Sequence, residues 1–154
     1  MGLLELLVKV SANAAGGGAI RRGNGSWYIG FSAKYNAVNP LATELYAIID
    51  GLAIAQDLGV KKIEVETDAE SLRTMLLTIG GNPHHELAAV ICDAASLFSD
   101  FEVAFINHIP REMNIMVHKL AEYGKDMAVG YKTHYLVPEC VKNFYEADLE
   151  AAAA

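Results

Sequence analysis

"LATELYAIIDGLAIAQDLGVKKIEVETDAESL", residues 41–72, changes its hydrophobic period midway, and that change decides the architecture. Leu41, Leu45, Ile48, Leu52 and Ala55 recur at the spacing of one helical face. Asn39 and Pro40 precede them as a cap and a first-turn proline, and Gly59 offers a stop. From Lys61 the pattern becomes a short β-prone run, "KKIEVET", and then a second helical pattern over "DAESLRTMLLTI" closed by Gly80-Gly81. Strands joined through helices need crossover connections, so this half of the chain predicts strands added to a sheet in parallel.

Toward the amino terminus the chain reads as an antiparallel meander. Glu5–Ser11 is an apolar, β-prone run, Ala19–Arg22 a second and "SWYIGFSAKY" a third. Asn24-Gly25 between the last two signals a hairpin, because both residue types tolerate positive φ. Toward the carboxyl terminus, "PHHELAAVICDAASLF" predicts a helix and "FEVAFINHI" a strand with Phe101, Val103 and Phe105 on one face. "EMNIMVHKLAEYG" predicts a short helix with Gly124 past its end. Val137, Cys140, Val141 and Phe144 suggest a last amphipathic turn or two, and residues 151–154 a frayed alanine tail. The whole is an α/β chain with a mixed sheet, a single domain over residues 1–150.

Composition narrows the class. The chain of 154 residues is 53% hydrophobic and 20% charged, which describes a packed core and not a disordered segment. A net charge of −7 argues against a broad basic footprint for nucleic acid, though not against a local one. Cys92 and Cys140 form no disulfide framework and suit a reducing compartment. "MGLLELLVKV" lacks the basic start of a signal peptide, and no apolar run reaches the ~20 residues of a membrane span. The expectation is an intracellular protein, cytoplasmic or nuclear, with no membrane partner.

Two acids stand out. Glu44 borders the apolar stripe of its helix, where a lone carboxylate is costly to bury unless paired or metal-bound; it reads equally as a border residue reaching solvent. Asp68 lies at a strand's carboxyl end beside a helix start, where open α/β sheets place their sites. It reads equally as part of a helix cap, since Thr67-x-x-Glu70 is a capping-box pattern. Other candidates have plainer readings. Gly16–Gly18 lacks the Gly-Lys-Ser/Thr of a phosphate loop and suits a close backbone approach. His84, His85 and Glu86 suit a solvated loop, the pairs Arg21-Arg22 and Lys61-Lys62 solvated faces, and Trp27, Tyr28 and Phe31 sheet packing.

The blocks "GGGAIRRGNGSWYIGFS", "LATELYAIIDGLAIAQDLGVKKIEVETDAESL" and "INHIPREMNIMVHKLAEYG" together resemble the plant ribonuclease H-like domains of the reverse-transcriptase-like group, from about Val8 to Gly124 with one deletion. The resemblance implies a ribonuclease H-like fold, a five-stranded sheet whose first three strands are antiparallel, flanked by helices. It also implies cleavage of the RNA strand of RNA–DNA hybrids by two Mg²⁺ (or Mn²⁺) ions held by four carboxylates. Two ions so close repel unless anionic ligands lie between them. The family's helix glutamate falls on Glu44, its strand-end aspartate on Asp68 and its catalytic-loop histidine on His108, with Glu44 and Asp68 as metal ligands.

The remaining two acids are replaced. Asn13-Ala14 stand where the family's first-strand pattern ends in Asp-Gly, with Ser11 an alternative match if the register slips; the Gly-rich turn that follows is cut to about two residues. His118 stands for the last aspartate of the "RExNxxAD" helix. Losing one charge about 4 Å from a cation forfeits about 4 kcal/mol at an effective dielectric near 20. The resemblance therefore implies a fold retained with weak or lost cleavage, weak or absent Mg²⁺ binding, and residual binding of hybrid or RNA. The alternative is a protein-interaction module, using an acidic surface or a sheet edge left by the shortened turn.

Overall fold

A computed structural model of the chain describes residues 2–36, 40–67, 87–108 and 115–153, and for Thr67, His108 and residues 151–153 the backbone alone. The elements are β1 (Leu4–Ser11), β2 (Ala15–Arg22), β3 (Trp27–Lys34), α1 (Pro40–Asp57), β4 (Lys62–Thr67), α2 (Ala88–Ser99), β5 (Val103–His108), α3 (Ile115–Tyr123), β6 (Gly130–His134) and α4 (Lys142–Ala153). Among the described residues one sheet holds six strands in the order β5-β4-β1-β2-β3-β6. β1, β2 and β3 pair antiparallel, while β4 joins β1 and β5 joins β4 in parallel. The predicted division into meander and crossovers is the division observed.

The period change at Gly59 has a physical cause. Gly59 takes φ +77, its N–H donates to the Gln56 carbonyl at 3.0 Å, and Val60 N–H donates to Ala55 at 3.0 Å. Those two bonds close a Schellman motif, satisfying orphan carbonyls and turning the chain into β4. Pro40 opens α1 as expected; Asn39 lies outside the described residues. The β2–β3 hairpin also forms, but only Gly25 takes positive φ. Asn24 contributes instead through its side-chain oxygen, which accepts from Ser26 N–H at 2.9 Å.

Strand alternation sends Leu4, Leu6 and Val8 to one face, where α1 packs with Leu45, Ile48 and Leu52. Leu7 points to the other face, into a smaller core with Met116, Val117 and Leu120 of α3 and Val141. Gly17 sits beneath α3, where a Cβ would stand 2.6 Å from Ala121 N and 2.8 Å from the Leu120 carbonyl carbon. The triple glycine thus serves close approach, as its lack of a phosphate-loop pattern implies.

Two expectations need correction. The sheet has six strands, not five: β6 comes from "GYKTH", an exposed segment with no apolar alternation, and it pairs antiparallel with β3. On β5 the residues packed into the core are Ala104 and Ile106, whereas Val103 and Phe105 are exposed, because β5 is an edge strand with one open face. Gly124 lies past the end of α3 as expected, where it begins a 3-10 turn and where a Cβ would collide with the Ala33 carbonyl. The carboxyl-terminal stretch folds as a 3-10 turn at Glu139–Val141 followed by α4, which carries its helix into the alanines. No described helix is long and apolar enough to cross a membrane.

Candidate functional site

α1 carries Glu44 on its packed side: Glu44 is 7% exposed, between buried Thr43 and buried Leu45. The reading of a border glutamate reaching solvent is therefore set aside. The predicted helix holding Asp68, and Asp68 itself, lie outside the described residues, as do His84, His85, Glu86 and the "REMN" of residues 111–114. His108 is the last residue of β5, described in its backbone only.

The first-strand position has a definite geometry. β1 ends at Ser11, and its ladder with β2 closes at Ser11↔Ala15. Between them Asn13 and Ala14 take φ +61 and +55, and Ala15 N–H donates to the Ala12 carbonyl at 3.4 Å. Successive left-handed residues make the tight hairpin turn that matches sheet twist. The family pattern Asp-Gly suits this conformation at its second residue; here Ala14 occupies it. Asn13 is exposed and stands beyond the strand, while Ser11, by alternation from Leu7 and Lys9, belongs to the α3 side of the sheet. β1 and β2 are both interior strands, so the shortened turn leaves no sheet edge; the edges are β5 and β6.

His118 projects from α3 half exposed, with Nε2 2.9 Å from Glu122 Oε1 one turn on. Lys119 Nζ lies 3.3 Å from the same carboxylate, and its hydrogen bond and charge hold Glu122 below the usual carboxylate range. The 118 side chain is thus engaged on its own helix surface.

A second acidic group went unremarked in the sequence. Glu5 on β1 stands beside Glu64 on β4 in parallel register, with Glu66 two residues on. Arg21, opposite Glu5 on β2, donates through Nε to Glu5 Oε2 at 2.8 Å and has Nη2 3.6 Å from Glu66 Oε2. Arg21 is therefore half-buried in an ion-pair group and not on a solvated face. Burial first, then the Glu5 charge, pushes the Glu66 carboxyl up to about 7 against the pull of Arg21. The available signal was alternation: Glu64 and Glu66 interleave with Ile63 and Val65, so the acids share a face.

Trp27, Tyr28 and Phe31 pack as expected. Phe31 is buried in the main core, Trp27 meets Tyr145 edge-on at 5.9 Å, and Arg22 lies over the Tyr28 ring at 5.1 Å.

Antiparallel β1–β2–β3, parallel β4 and β5 reached through helices, and a glutamate buried on α1 define a domain of the ribonuclease H-like class. Similarity to solved structures agrees. The ribonuclease H1 of the archaeon Halobacterium salinarum is 26% identical, with a TM-score of 0.71 over 82% of this chain and 100% of that one. LC11-RNase H1, in a structure with an RNA/DNA hybrid, is 20% identical, with a TM-score of 0.67 over 80% and 96%. Residues 6–124 match the family model described as reverse transcriptase-like, and the chain belongs to that family. A protein of Arabidopsis thaliana named as a ribonuclease H protein is 27% identical over 135 residues; the match takes in 88% of this chain but 22% of that relative's length.

The donor set can now be tested against two magnesium ions. Among the described residues at the family's acid positions, Glu44 alone offers a carboxylate. Asn13 is a neutral amide in an exposed turn, and His118 offers an imidazole, which suits transition metals rather than magnesium and already faces Glu122. The described residues alone do not make up the four carboxylates of a two-ion site; Asp68 lies outside them.

Proposed function

We propose that this chain is a nucleic-acid-binding ribonuclease H-like domain with weak or lost cleavage, taking RNA–DNA hybrid or RNA. The observation that carries the reading is the pairing of a retained fold with Asn13 and His118 at two acid positions, one outside its strand and the other facing Glu122. Substrate shape is read by the fold, whereas phosphoryl chemistry needs the charge those positions lack. Glu44, Asp68 and His108 are the residues the resemblance assigns to the remnant site, with Mg²⁺ or Mn²⁺ held weakly or not at all. The solved hybrid complex of a fold neighbour supports the choice of ligand.

Titrating the chain with hybrid duplex at several salt concentrations tests the binding. Affinity should fall steeply as salt rises, because phosphate contacts release counterions. Failure to bind at any salt would overturn the nucleic-acid reading. That result would favour a protein-interaction module, for which β6 is the supporting feature. β6 is an edge strand, and Tyr131 on it and Val129, Tyr135 and Leu136 around it are all strongly exposed.

A further inference from the structure

Glu5, Glu64 and Glu66 lie on the side of the sheet opposite α1, and so apart from Glu44. Parallel register sets Glu5 beside Glu64 and Leu7 beside Glu66, so three carboxylates share one face of two adjacent strands. One oxygen of each lies within 4.8 Å of the others. Like charges side by side across strands are destabilising, and such groups persist only with compensation.

The described compensation is incomplete. The charges acting on Glu66 are Glu5 and Glu64, both negative, and Arg21. Arg21 is directed at Glu5 Oε2, and its charge is shared further with Asp148 of α4. Its Nη2 remains 3.6 Å from Glu66 Oε2, beyond hydrogen-bonding distance. Glu66 is 8% exposed, and its Oε2 is buried with no hydrogen-bond donor. A buried carboxyl oxygen without a donor is expensive; protonation relieves it, and so does a metal ion. Asn107 Nδ2 donates to Glu64 Oε1, leaving that residue's second oxygen for other use.

We propose that Glu5, Glu64 and Glu66 bind one hard divalent cation, for which calcium is the probe, on the β1–β4 face. Three carboxylates select a hard cation. The three oxygens, within 4.8 Å of one another, are close enough for one such ion to touch all of them. The mouth is open, since Glu5 and Glu64 are only half-buried and the neighbouring β5 face is exposed at Val103 and Phe105.

The test is titration of the full chain with calcium chloride, followed by calorimetry and by Tm. One saturable site is expected, with a Tm that rises with calcium. Glu66→Gln and, separately, Glu64→Gln should each weaken binding at least tenfold, and Glu44→Gln should leave it unchanged. Glu64→Gln changes a partly exposed side chain and so guards against a variant that fails to fold. No calcium binding by the wild type, or binding that survives Glu64→Gln, overturns the proposal. Binding lost in Glu44→Gln and kept in the other two would place the ion at the remnant site instead. The outcome is read from calcium binding and Tm alone, so it stands or falls separately from hybrid binding.

Discussion

His134 Nε2 stands 2.9 Å from Ser32 Oγ in the interior, and the Ser32 hydroxyl donates onward to the Leu120 carbonyl at 2.6 Å. A hydroxyl has one proton, so the imidazole must donate through Nε2–H, which in the neutral ring fixes the tautomer. This chain of bonds ties β6, β3 and α3 together. Ser32→Ala would strand a buried ring N–H, and the expected loss is about 1–3 kcal/mol in urea unfolding.

The same histidine gives the fold an acid limit. Burial first, then Lys132, lowers its pKa below 6.5. The unfolded chain takes up the proton at a higher pH than the folded one, so this contribution is complete above about pH 6.5 and is lost as pH falls below it. Unfolding measured at pH 7.5 and 5.5 should show the loss in the wild type and a smaller one in His134→Gln.

Glu66 acts in the opposite sense. Its folded pKa is raised from 4.5 to about 7, so the folded state holds the proton longer, and stability falls as pH rises through that window. Glu66→Gln should match the wild type near pH 4.5 and exceed it by on the order of 2 kcal/mol at pH 8 without added metal. Equal stability of the two at pH 8 would mean that Glu66 is solvated.

Ala14 at φ +55 adopts a conformation that costs a side-chain-bearing residue about 1–2 kcal/mol. Ala14→Gly should therefore stabilise by about 0.5–1 kcal/mol after the entropy glycine adds to the unfolded chain. Ordinary surface positions respond with the opposite sign, so a loss of stability would contradict the turn geometry.

Much of this was legible in residues 41–72, because helix and strand periods differ and Gly59 marks the change. The meander was legible from Asn24-Gly25 and its flanking runs. β6 was not: "GYKTH" has no buried stripe, and its place depends on the Ser32–His134 contact across 102 residues. The carboxylate group at Glu5, Glu64 and Glu66 was hidden for a related reason, since alternation gives the face of each strand but not the parallel register that brings them together. The candidate site was legible only through resemblance. Glu44's burial removes the solvent reading, and Asn13, which the resemblance sets at the first-strand acid position, lies in the turn beyond β1.

If charge at position 118 is what the family site lacks, His118→Asp should raise Mg²⁺ or Mn²⁺ affinity in calorimetry. It would also exchange the His118–Glu122 pair for two acids one turn apart, at a cost of about 0.5 kcal/mol. Unchanged divalent affinity would mean that position 118 does not face Glu44 and that the motif register is wrong.

The most direct test of the central claim is cleavage of a labelled RNA–DNA hybrid in Mg²⁺ and in Mn²⁺, wild type beside Glu44→Gln. The expected result is hybrid bound by both proteins, with wild-type cleavage absent or so slow that Glu44→Gln changes it little. Brisk Mg²⁺-dependent cleavage by the wild type, abolished in Glu44→Gln, would contradict the account, because it would show a working metal site without carboxylates at positions 13 and 118.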